Sequence, residues 1–162
     1  VPLDVHLMVE NVKENIERYI PLEPNIITFH YEACKSKEEI IGLIKLIREN
    51  NIKPTISIKP NTNIEEIKEF LPSLNMVLIM TVEPGKGGQK LIPETVEKVR
   101  NLKKYIEENN LETYIEVDGG VNKETIHLVK EAGADIAVAG SAIISAENFK
   151  EAIKELKWEK GD

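Results

Sequence analysis

Short apolar runs rich in β-branched residues alternate along this chain with longer stretches in which apolar residues recur every three or four positions. The first pattern suits a buried strand and the second one face of a helix, so their alternation predicts a parallel sheet joined by crossover helices. Six runs carry the strand pattern: Leu3 to Met8, Asn25 to His30, Pro54 to Ile58, Met76 to Met80, Thr113 to Val117 and Asp135 to Ala139. Between them, Asn11 with Glu14, Ser36 with Glu39 and Asn63 with Glu66 each place a capping oxygen three residues before a carboxylate, which predicts helix starts. Val96, Val99, Leu102 and Ile106 give the longest predicted helix one apolar face, and Gly133 stands where the helix after Asn122 should stop. No linker or low-complexity stretch interrupts the pattern.

The last three runs open directly into small residues: VLIMTVEPGKGGQ (Val77 to Gln89), YIEVDGGV (Tyr114 to Val121) and DIAVAGSA (Asp135 to Ala142). Glycine in such a turn lets backbone N–H groups approach phosphate oxygens closely. Three such turns in succession point to a phosphorylated substrate held at one end of a parallel barrel. The expected cradle is Gly85, Gly87 and Gly88, completed by Gly119, Gly120, Gly140 and Ser141, whose hydroxyl should add to the backbone donors. Six units in 162 residues average 27 apiece, so eight would need about 216, within the range of a closed eight-stranded barrel. The expected fold is therefore an α/β TIM (β/α)8 barrel, truncated to its last six βα units. Residues 1–162 would form a single partial barrel domain lacking two N-terminal units. A complete six-stranded open sheet is the competing architecture. Val1 and Pro2 run straight into LDVHLMV, so the chain starts within a predicted strand and not at an initiator Met.

Composition narrows the partners. A net charge of −7 without a basic stripe argues against nucleic acid, and a phosphate must then be held by local donors and not by overall field. No apolar run is long enough to span a membrane, and the single Cys34 excludes an intrachain disulfide, which together with the absence of a signal peptide predicts a cytoplasmic location.

LDVHLMV, ITFHYEA, SIKPNT, VLIMTVEPGKGGQ, IEVDGGV and AGADIAVAGSAI resemble, in that order, the strand motifs of ribulose-phosphate 3-epimerases across essentially the whole chain. The glycine turns are shared with other phosphate-binding barrels, whereas HLMV, MTVEPGxGGQ and EVDGGV together are specific. The resemblance implies interconversion of D-ribulose 5-phosphate and D-xylulose 5-phosphate through an enediolate, in the pentose phosphate pathway. It implies a divalent metal (Zn, Fe, Mn or Co) as cofactor, a small-molecule sugar phosphate as substrate and a homo-oligomer in the full-length form. Asp118 matches one of the family's two catalytic aspartates and a metal ligand, and His6 matches a second ligand. Met8 and Met80 match methionines packed around the intermediate, where a thioether wall excludes water. The family's first two units supply a further His and Asp, the latter its second acid/base, and no HxD strand motif matches them here.

Read from the residues alone, each assignment has a plainer rival. A lone His in a strand is usually packed or hydrogen-bonded, Asp118 before Gly119 could simply start a turn, and Met8 and Met80 could be core. His30 ends its strand at the same mouth, with hydrogen bonding near the site as its expected role. Lys59 is equally a rim lysine. The family's glycine loop usually carries Phe where this chain has Lys86, so substrate choice stays open to a related ketohexose 6-phosphate, and a non-catalytic phosphate-binding fragment is the reading from another class.

Overall fold

The computed structural model describes residues 1–85 and 87–158, and Lys86 therefore lies outside the described residues. Six strands alternate with helices: β1 (Asp4–Leu7), α1 (Val12–Tyr19), β2 (Ile26–His30), α2 (Lys37–Glu49), β3 (Lys53–Ile58), a 3-10 segment (Ile64–Ser73), β4 (Met76–Met80), α3 (Pro93–Glu108), β5 (Tyr114–Asp118), α4 (Ile126–Ala132), β6 (Ile136–Val138), α5 (Ser141–Ile144) and α6 (Phe149–Leu156). Every pair of neighbours is parallel and the order is strictly sequential, β1 to β6. A doubly wound open sheet reverses its strand order partway, and this sheet does not.

Curvature decides between an open sheet and part of a barrel. Side chains of β1 and β5 touch, His6 Nδ1 lying 3.6 Å from Asp118 Oδ2. Four strand spacings on a flat sheet would separate those strands by roughly 19 Å. The sheet therefore curls into a half-barrel.

The two faces of the curl differ in chemistry. Val5, Leu7, Ile27, Phe29, Ile56 and Ile58 alternate outward, and with Val77, Ile79, Ile115 and Val117 they meet the apolar faces of the helices in one continuous core. The predicted stripe of Val96, Val99, Leu102 and Ile106 on α3 is part of it. The alternate residues, His6, Thr28, His30, Thr55, Ser57, Glu116 and Asp118, face the concave side, where Leu78, Met80 and Val82 form a separate apolar cluster. A packed barrel lumen is usually dominated by branched apolar side chains, so this polar inner face already marks the concavity as unusual.

Of the three expected helix starts, Ser36 caps as predicted and the other two differ in detail. Ser36 caps α2 by accepting from Glu39 N at 3.1 Å, as its spacing predicts. The Asn63 side chain accepts from Glu65 N, while its carbonyl accepts from Glu66 N, and the residue opens a 3-10 segment that contains Pro72, whose missing N–H removes a bond from the helical ladder. Asn11 makes no side-chain cap bond, its ψ of 69° lying outside the extended range typical of a cap. Gly133 ends α4 at φ 103°, as expected. No helix among the described residues is long and apolar enough to cross a membrane.

Candidate active site

The C-terminal ends of the strands converge on one mouth. Asp118 is the last residue of β5, one place beyond the expected strand end, in register with Met80 on β4 and Val138 on β6. His6 on β1 contacts it from across the concavity at 3.6 Å, and His6 Nε2 lies 2.8 Å from Nε2 of His30, the last residue of β2. His30 is thus a hydrogen-bonding neighbour of the site, as expected.

A cavity of about 410 Å³ opens beside this cluster, with Met8, Met80 and Asp118 on its strand-end wall. Its rim is built from the three small-residue turns: Gly85, Gly87 and Gly88 after β4, Gly119 and Gly120 after β5, and Gly140 and Ser141 at the start of α5. Apart from Lys86, every candidate residue lies on this cavity or, for His6, against Asp118. Met80 is buried in the concave cluster, whereas Met8 is 46% exposed, so Met8 is a mouth residue and not core.

Backbone bonds fix the turns to one another. Thr81 N donates to Asp118 O at 2.9 Å, Thr81 Oγ1 donates to Gly119 O, and Ile92 N donates to Thr81 O at 2.8 Å. Thr125 Oγ1 donates to Gly120 O at 2.8 Å. The packing is close enough that a Cβ on Gly119 would fall 2.3 Å from a Val82 methyl, and one on Gly120 would fall 2.3 Å from Leu91 N at a φ of +66°. Gly120→Ala should therefore destabilise by about 2–4 kcal/mol, combining left-handed strain with a backbone clash, and chemical denaturation will read it directly. An unchanged denaturation midpoint would mean that the two turns are not held together as described.

A second hollow of about 380 Å³ adjoins the first, sharing Met8, Pro84 and Gly85 and reaching His30, Glu32 and Lys59. Lys59 is therefore part of the mouth's lining, next to the site and not in it. Glu32 was not singled out from the sequence, although it follows His30 by two residues in FHYEA. Burial opposes its ionisation, but His30, the Lys59 N–H at 2.7 Å and the Thr62 hydroxyl stabilise the carboxylate more and hold its pKa at about 2. Below the ordinary value of 4.5 the unfolded chain takes up this proton first, so the stability Glu32 contributes is complete above about 4.5 and is lost as pH falls toward about 2. Glu32→Gln should flatten this acid limb, which urea midpoints taken between about pH 6 and pH 2 will show; an unaltered limb would remove Glu32 from the account.

Deeper in the concavity Glu116 is buried, and desolvation, reinforced by Asp4 and Asp118, pushes its pKa up to about 8. The hydroxyls of Thr28, Thr55 and Ser57, on β2 and β3, are on the same inner face, buried and without hydrogen-bond partners. Cys34 has its thiol pushed up to about 12 by burial and by Glu39 and Glu32, so it is not a thiolate nucleophile.

For a metal ion, His6 and Asp118 offer a nitrogen and a carboxylate oxygen 3.6 Å apart, close to the edge of a coordination tetrahedron, about 3.4 Å for bonds of roughly 2.1 Å. They fit as two donors of a larger set. Among the described residues no group of three or more His, Cys, Asp or Glu is arranged to hold an ion.

The profile of the ribulose-phosphate 3 epimerase family matches residues 1–144. The chain is 45% identical to the ribulose-phosphate 3-epimerase of Methanocaldococcus jannaschii over 157 residues, 97% of this chain and 65% of that protein. It is 43% identical to that of Helicobacter pylori, with 71% of the relative covered, and 41% identical to that of Bacillus subtilis, with 73% covered. The chain thus spans about two thirds of the length of these relatives. Among solved structures it resembles 3-hexulose-6-phosphate synthase (TM-score 0.64, 22% identity, covering 87% of this chain and 65% of that one). It also resembles orotidine 5'-monophosphate decarboxylase from Sulfolobus solfataricus (TM-score 0.66, 14% identity, 96% and 71% covered), a likeness of fold alone. With the family profile matched over most of its length and its strand-end residues gathered at one mouth, the chain belongs to the ribulose-phosphate 3-epimerase family.

Proposed function

We propose that this chain carries the catalytic end of a cytoplasmic, metal-dependent epimerase that interconverts D-ribulose 5-phosphate and D-xylulose 5-phosphate. The observation that carries the reading is the placement of Asp118, paired with His6, on the wall of a cavity rimmed by three small-residue turns. Asp118 is the group that takes up or returns the proton at the third carbon, since its carboxylate faces the cavity at the level of the strand ends. His6 and Asp118 would hold a divalent cation, which when bound stabilises the negative charge of the enediolate by several kcal/mol. Met8 and Met80 form an apolar wall against which the reacting carbons are kept from water. The phosphate lies against the N–H groups of Gly85, Gly87, Gly88, Gly119, Gly120, Gly140 and Ser141; Lys86, the further phosphate candidate of this loop, lies outside the described residues. Because α5 is only four residues long, these individual donors matter more than its dipole.

Inversion needs acid and base on opposite faces of the substrate. We assign the second to a strand outside residues 1–162, in two further βα units that would pair with the free edges of β1 and β6. The reading is tested by incubating the native gene product with ribulose 5-phosphate in deuterated water. Deuterium entry at the third carbon with formation of xylulose 5-phosphate is expected. No exchange would leave a phosphate-binding protein, and exchange only with a ketohexose 6-phosphate would move the substrate assignment. Gly140→Val probes the phosphate cradle at a position with a φ of −88°, where an added Cβ meets nothing within 4 Å. It should weaken sugar-phosphate binding at least tenfold, about 1.4 kcal/mol, and wild-type affinity would remove Gly140 from the cradle.

A further inference from the structure

We propose that His30, anchored by Glu32, is a positioning residue that fixes the ring of His6 with its proton on Nε2, so that Nδ1 is left bare toward Asp118 to receive a divalent cation. The inference rests on the reading that His6 and Asp118 bind metal, and it adds which nitrogen does so and what enforces the choice.

Four side chains form a chain across the mouth. Glu32 Oε2 faces His30 Nδ1 at 3.6 Å, His30 Nε2 faces His6 Nε2 at 2.8 Å, and His6 Nδ1 faces Asp118 Oδ2 at 3.6 Å. The two ring centroids are 5.0 Å apart and the ring planes 16° from parallel, the nearly coplanar, edge-to-edge arrangement that an in-plane N–H···N contact needs. Two imidazole nitrogens at hydrogen-bond distance share one proton, so one ring donates and the other accepts. Which does so is set by the ends of the chain.

At the Glu32 end, His30 Nδ1 and Glu32 Oε2 are both buried and have no hydrogen-bond partner, and each is the polar atom that faces the other. Their 3.6 Å separation is just beyond bonding range, and a small rotation closes it. A carboxylate oxygen only accepts, so the proton is on His30 Nδ1. The neutral ring then accepts at Nε2, the shared proton belongs to His6, and His6 Nδ1 carries a lone pair. The opposite assignment would set two buried acceptors against each other beneath the surface. The assignment made here sets two acceptors, His6 Nδ1 and Asp118 Oδ2, against each other where the side chains are 20% and 25% exposed and the cavity opens. That mismatch is relieved by a cation between them. Glu32 is itself held by the Lys59 N–H and the Thr62 hydroxyl on its other oxygen, so the anchor does not swing away. Ligating histidines are oriented in this way by a partner on the opposite ring nitrogen.

The test is Co(II) titrated into the metal-stripped native gene product, followed by its visible absorption. His6→Ala and Asp118→Asn should abolish the signal, and if both bind Co(II) as the wild type does, the metal reading itself fails. With that reading standing, His30→Phe should weaken Co(II) binding about 10- to 100-fold, while His30→Gln, whose amide oxygen can accept the His6 Nε2 proton, should stay within a few-fold of wild type. Wild-type affinity in His30→Phe, or equal losses in the Phe and Gln variants, would overturn the inference. A second readout needs no variant: imidazole nitrogen shifts of the zinc-loaded wild-type protein should show His6 protonated on Nε2 and metallated on Nδ1. Metal on Nε2 would refute it while leaving the metal reading intact.

Discussion

Asp118→Asn in the native gene product is expected to lose turnover by about 100- to 10,000-fold while the protein stays folded, the range over which a positioned acid or base contributes. The substitution is nearly isosteric, and what β5 needs from residue 118 is its backbone carbonyl, which accepts from Thr81 N at 2.9 Å. The amide removes what the site needs. It cannot take up a proton, and it replaces an anionic donor with a neutral one beside His6. Sugar-phosphate affinity should change much less than kcat, because the phosphate donors lie on the turns and not on the Asp118 side chain. Steady-state kinetics together with the metal content of the purified variant decide the matter. A variant that keeps its metal and loses less than about tenfold in rate would show that the proton is carried elsewhere.

Much of this site could be read from the residues because each of its parts is a contiguous strand-to-turn motif. The β-branched runs set strand and face together, so Asp118, Met80 and the glycines after them reach the same mouth once the strands are parallel and sequential. What could not be read depends on distance in the chain. His6 meets His30 across 24 residues, and neither the rotamers that bring the two Nε2 atoms together nor the curl that brings β1 to β5 has a local signature. Glu32 was missed for a related reason. It sits in a short 3-10 turn, Tyr31–Ala33, where period-two reasoning from the strand no longer says which way a side chain points. The start signals located both helical segments, after Asn11 and after Asn63, but not the details: Asn11 makes no side-chain cap bond because its backbone is wrong for capping, and the segment after Asn63 is 3-10 and not α.

Produced by itself, the 162-residue chain is expected to associate or aggregate and to show little or no epimerase activity. Both β1 and β6 present an unpaired edge among the described residues, and unpaired parallel edges recruit other strands unless covered. The β6 side is also apolar at its surface, with Ile144 76% and Phe149 56% exposed beside Ile136 and Val138. The concave face carries buried hydroxyls on Thr28, Thr55 and Ser57 that lack partners, which a closed lumen would be expected to satisfy. The site is similarly incomplete. His6 and Asp118 supply two donors, so a cation would be weakly held, and with one acid/base at the strand ends only one-sided proton exchange could survive. Joining two βα units ahead of Val1, or supplying them as a separate peptide, should convert the associated chain into a defined species and restore both metal binding and turnover. Light scattering after gel filtration reports the first effect, and a coupled assay for xylulose 5-phosphate reports the second. Robust conversion by a monodisperse preparation of this chain alone, proportional to its concentration, would place a second acid/base within residues 1–162 and overturn the proposed division of the site.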